Sequence, residues 1–157
     1  MDDLNSNLLA AFTERYTHLA CEVRKLAAPL SDEQFWRKPF PFGNSFGHLV
    51  LHITGNLSYY IGTEIGKSGY VRDREREFTE TNHPTKETTL KCFDEAVDVV
   101  LRALMAQSSD DWAKEYTAVR EEDAGNRLGI FLRCVTHLHS HVGQMIYLCE
   151  GLKRDAA

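Results

Sequence analysis

Seven histidines are spread unevenly over 157 residues. His48 and His52 stand four apart, and so do His137 and His141. On a helix that spacing puts two side chains on one face with Cβ atoms about 5–6 Å apart. Two imidazoles so placed can converge on one divalent ion at roughly 2.0–2.1 Å each. A single pair is only a half-site, because a half-buried histidine at a helix interface more often serves packing and hydrogen bonding. A third histidine from a facing helix completes a site of the kind that helical cores build. Successive residues advance about 100° around a helix. On that wheel the apolar centre of the segment holding His48 and His52 lies near Phe46, Ile53 and Leu57. His48 falls nearly opposite and is predicted to face water. His52 lies at the edge of the apolar arc, on the stripe Leu49, His52, Asn56 and Tyr60. His137 and His141 run along an edge stripe with Ile130, Cys134 and Leu148, whereas His139 projects beside Leu132 and Ile146. The preferred ligand set is His52, His137 and His141, with His18, His48, His83 and His139 left over.

Three neutral imidazoles leave at least one coordination position open, the pattern of catalytic sites and not of closed structural ones. Asn56 and Tyr60 continue the His52 stripe, as a possible partner for a ligand and a possible proton donor; each more often serves as a helix-interface residue. Gln144, three residues past His141, is placed to support a ligand from behind. The run Arg72-Asp73-Arg74-Glu75-Arg76-Glu77 can fold over the site and offer Arg72 to an acidic substrate, although such mixed-charge runs ordinarily form a solvated surface. No Asp or Glu shares the histidine stripes, so an obvious general base is missing. Other metal and nucleophile motifs are absent: there is no His-Glu-x-x-His, no Cys-x-x-Cys and no Gly-x-Ser-x-Gly. The one Glu-x-x-His, Glu80 to His83, stands before Pro84, outside any long helix.

Four long helical patterns must position these residues. The first spans about Asn5 to Ala28, with Leu8, Phe12, Tyr16, Leu19, Val23 and Leu26 on one face, and stops at Pro29. Ser31 to Gln34 has the form of a capping box for a short turn through Phe35 and Trp36. Pro39, Pro41 and Gly43 enforce a loop, whose Phe40 and Phe42 join Phe35 and Trp36 as a plug for one end or the mouth of a pocket. The second helix runs from a cap at Asn44 or Ser45 to about Gly66. Lys67 to Pro84 reads as a long crossover linker with at most a helical turn. The third helix runs from Lys86 to Gln107, and the fourth from Asn126 to Leu152. Between them lies an irregular stretch with a short extended piece at Tyr116 to Val119. The expected fold is an all-α four-helix bundle, a single domain over 1–157, with the crossover between helices two and three.

The formal net charge is −5, a poor basis for binding nucleic acid or an anionic membrane. No apolar stretch reaches bilayer length and the first residues are acidic, so a cytoplasmic location is expected. In such a reducing compartment Cys21, Cys92, Cys134 and Cys149 are expected as buried free thiols.

The stretches Asn44 to Asn56 and His137 to Met145, the latter reading His-x-x-x-His-x-Gly-Gln, resemble the DinB/YfiT-like superfamily. The resemblance extends to Gly69-Tyr70-Val71-Arg72 and Arg76-Glu77-Phe78, and covers nearly the whole chain. It implies a four-helix bundle with a long crossover, often dimeric. It also implies a three-histidine site on His52, His137 and His141 for zinc or nickel, with iron or manganese as further options. Relatives of that superfamily include transferases and isomerases that use a low-molecular-weight thiol. A thiolate nucleophile needs less help from a general base than attacking water does. The expected function is therefore S-transfer to a small-molecule substrate by a homodimer. The alternatives are a metal-dependent hydrolase and a non-catalytic metal or small-ligand binding protein of a stress response.

Overall fold

A computed structural model describes residues 3–155 of the chain. Its ordered elements are helical; the only β-type pairings among the described residues are the isolated bridges Glu115–Asn126 and Ala118–Glu121, so the expected extended piece is not a strand. Helix α1, Asp3–Ala27, carries Asp3 in its first turn and Arg24 and Lys25 in its last, which complements the helix dipole. Its buried stripe is Leu9, Phe12, Tyr16, Leu19, Val23 and Ala27, with Leu8 and Leu26 only partly covered. Helix α2, Asp32–Trp36, starts with the anticipated capping box: Ser31 Oγ accepts from the Gln34 amide at 3.1 Å and Gln34 Oε1 from the Ser31 amide at 3.0 Å. Helix α3, Phe46–Leu57, is capped by Ser45. The turn α4, Arg76–Thr79, interrupts the linker, and α5, Lys86–Met105, starts at a Thr85 cap. Helix α6, Arg127–Asp155, closes the described chain.

Helix α1 packs against α5 and α6, and α3 packs against the same two, while α2 and α4 lie on α3. Between them lie Tyr16, Phe35, Phe46, Phe93 and Phe131, each less than 2% exposed. The Tyr16 hydroxyl reaches across this core to donate to the Phe131 carbonyl at 2.8 Å. No described helix is long and apolar enough to cross a membrane.

Three expectations need correction. The second helix does not run evenly to Gly66: from Ser58–Thr63 it is a π-helix, with the Glu64 amide on the Tyr59 carbonyl at 3.1 Å and the Gly66 amide on that of Ile61 at 2.9 Å. Cys21 and Cys92 are exposed, and only Cys134 and Cys149 are buried, because the first two fall beside the apolar stripes of α1 and α5. The aromatic loop divides: Phe35 and Trp36 are buried, whereas Phe42 is 75% exposed. Trp36 fits because position 47 is glycine. A Cβ there would stand 2.5–2.8 Å from the indole ring.

Candidate metal centre

Helices α3 and α6 bring the histidines together. His52 Nε2 lies 3.3 Å from His137 Nε2, and His141 Nε2 lies 2.9 Å from the same atom. One ligand atom from each of the three falls within 4.8 Å of the others. Donors about 2.0–2.1 Å from a common ion lie roughly 3.3 Å apart at tetrahedral angles and roughly 2.9 Å at right angles. The two separations are of this size, so the donor set suits a divalent ion without choosing between four and six ligands. Cys134, three residues before His137, is not among the convergent donors; it is buried, and burial pushes its thiol up to about 12.

The outer ring nitrogens assign the tautomers. His52 Nδ1–H donates to Glu77 Oε2 at 2.8 Å, and His141 Nδ1–H donates to Gln144 Oε1 at 2.8 Å. Each bond leaves the Nε2 lone pair turned to the shared point and stiffens the ring. Burial, reinforced by the neighbouring His141, holds His137 down to about 3; burial likewise lowers His141. Both rings are therefore neutral near pH 7, as ligation requires.

Glu77 is the residue that the helix stripes alone do not reveal; it brings a carboxylate to the trio as a partner of His52 and not as a free base. It enters from the linker at α4. Its two oxygens accept from Arg72 Nε at 2.7 Å and Nη2 at 2.8 Å. The Arg72 and Glu77 side chains are 9% and 5% exposed, so these two members of the charged run are not a solvated surface, although Asp73, Arg74 and Glu75 are exposed. The carboxylate lies against α3 at Gly55, where any Cβ would overlap it. Phe78 adds a ring against His52, with centroids 4.8 Å apart.

His48 does not face water. It is 6% exposed, because the linker crosses the outer face of α3. Its Nε2 lies 3.1 Å from the Glu80 carbonyl, which it serves as donor, and its Nδ1 accepts from Ser45 Oγ at 2.7 Å. His139 and His18 are exposed, and His83 stacks on Trp36 with ring centroids 4.6 Å apart.

Asn56 lies one turn beyond His52, 2% exposed, with its Oδ1 unpartnered. The Tyr60 hydroxyl is directed at the Val119 and Arg120 carbonyls, 3.3 and 3.4 Å away, and burial raises its pKa. Arg72 and Arg133 lie over its ring at 5.4 and 5.7 Å. A cleft of about 900 Å³, lined by Tyr60, Arg72, Arg74, Phe78 and Arg120 among others, opens beside the linker. A second groove of about 730 Å³, with Phe40, Phe42, Leu49 and Tyr147, runs past Gln144 on the other flank.

Over residues 3–156 the chain matches the family described as "Protein of unknown function (DUF1572)", and it belongs to that family. No curated protein matches it.

Proposed function

We propose that this is a DinB/YfiT-like four-helix bundle with a crossover between its second and third long helices, and that it is a metal-dependent thiol S-transferase acting on a small molecule. The observation that carries this reading is the arrangement of the donors: three convergent imidazoles, two braced from behind, with no fourth His, Cys, Asp or Glu in the group among the described residues. His52, His137 and His141 would hold the ion, with zinc or nickel the favoured identities. A divalent ion with a free position supplies Lewis acidity, which favours the deprotonated form of a thiol.

The chain's own residues favour thiol chemistry over hydrolysis. Glu77 is not free to take a proton, since His52 and Arg72 occupy both its oxygens. The Tyr60 hydroxyl is directed at backbone carbonyls. What remains are positioning groups: Arg72 in the wall of the larger cleft, aromatic rings on both flanks, and Gln144 behind His141. A homodimer in the cytoplasm completes the proposal; it is supported by the exposed Leu132, Ile146 and Tyr147 along α6. Metal analysis of the purified protein tests the centre. His52→Ala, His137→Ala and His141→Ala should each remove most of the metal, and His139→Ala none. A cobalt-substituted protein whose absorption does not respond to any added thiol would overturn the transferase reading.

A further inference from the structure

The layer directly beneath the three histidines contains two polar side chains that each carry a buried atom with an unmet hydrogen bond, one from buried Asn56 and one from half-buried Arg133. Asn56 is 2% exposed and its Oδ1 has no partner; Arg133 Nη1 is also buried without one. Asn56 follows His52 by one turn of α3, and Arg133 precedes His137 by one turn of α6. His52 touches His137, and Tyr60, one turn further along, touches Arg133. Numbers rise on α3 as they fall on α6, so the helices run antiparallel here and residues 56 and 133 share a layer. One helical turn, about 5.4 Å, separates that layer from the histidines.

We propose that Asn56 and Arg133 form a carboxylate-binding subsite, and that the substrate of the centre is a small carboxylic acid. Which way an amide points follows from its partners. With its NH2 turned to the ligand, Asn56 presents one donor and Arg133 Nη1 a second, which matches the two oxygens of a carboxylate. The local charge agrees. The acidic groups near this layer are already held by arginines: Glu121 by Arg133 at 2.6 Å and Glu77 by Arg72 at 2.7 Å. These pairs cancel, so a divalent ion on the trio leaves this layer positive. The 5.4 Å step fits an acid whose metal-directed atom lies about two carbons from the carboxylate.

This rests on the trio being an open metal centre, and the test separates the two ideas. Cobalt-substituted protein is titrated with 3-mercaptopropionate, with the neutral 3-mercapto-1-propanol, and by calorimetry with propionate. The acid thiol should bind about 10- to 100-fold tighter than the alcohol, the range for a hydrogen bond to a charged group. Asn56→Leu and Arg133→Lys should abolish that preference while leaving the alcohol's affinity unchanged; the lysine keeps a charge for Glu121 but loses the planar fork. Asn56→Leu should also raise the melting temperature of the ligand-free protein, because it removes a buried amide with an unmet bond. Equal binding of the two thiols overturns the subsite and leaves the thiol reading standing. A preference that survives both substitutions overturns it as well. Propionate binding that Arg133→Lys abolishes, with no response to either thiol, supports the subsite and overturns S-transfer. If no probe binds, both fall.

Discussion

At the scale of single residues, the carboxylate of Glu77 governs the site through His52. Glu77→Gln should lower metal affinity by about 10- to 100-fold, the usual effect of losing such an outer partner, and competition with a chromophoric chelator reads it. Gly55→Ala should act in the same direction without touching a polar group, because its methyl occupies the space of that carboxylate. Equal affinity in both variants and wild type would show that the bond does not orient the ring. The pH response follows from the depressed histidines. His137 sits at about 3 against an ordinary 6.5, with His141 and His48 also lowered, burial being the main cause in each. Below pH 6.5 the unfolded chain takes up protons that the native chain refuses, so stability from this source is intact above pH 6.5 and drains away as pH falls towards 3. The metal-free protein should melt progressively lower across that window, and His137→Gln should flatten the slope; a flat wild-type profile would contradict the burial argument.

At the scale of elements, the segment between α3 and α5 is held to the outer face of α3 by two histidines on adjacent turns. His48 bonds the Glu80 backbone and His52 the Glu77 side chain. His48→Ala should cost about 1–3 kcal/mol by leaving buried partners unmet, yet retain metal at unchanged stoichiometry. Limited proteolysis should then cut within residues 67–84; resistance equal to wild type would show that this anchor is dispensable. These contacts also mark where sequence reading stops. The stripes of α3, α5 and α6 were legible because a 3.6-residue period is a local property, and the convergence of His52 with His137 and His141 follows from those stripes. The fate of His48, Arg72 and Glu77 was not, because it depends on where a distant linker lands. A wheel sees His48 opposite the apolar arc and cannot know that this side is covered. A run of alternating charges looks solvated whichever two of its members turn inward. The π-helix was hidden for another reason: one extra residue in a turn alters the phase but leaves no distinctive side chain. The loss of α-phase after Leu57 is visible only in the hydrogen bonds of Glu64 and Gly66.

At the scale of the whole molecule, the hydrophobic contacts of α1, α3, α5 and α6 far exceed what three metal ligands contribute. Chelation should leave helical circular dichroism nearly intact and lower the melting temperature modestly, as expected when an ion binds a scaffold already folded. Loss of helix on chelation would make the ion a folding element instead. Light scattering at micromolar concentrations should give the mass of a dimer; a monomer throughout would remove that part of the proposal. The clasp of Glu77 on His52 has one more consequence, which follows from reciprocity. If the seated linker raises the affinity for an ion, the ion must tighten the seating of the linker by the same factor. Amide hydrogen exchange across 67–84 should therefore slow on metal loading, by the ratio that Glu77→Gln removes from the binding constant. The crossover segment would then report, some distance along the surface, whether the centre is loaded.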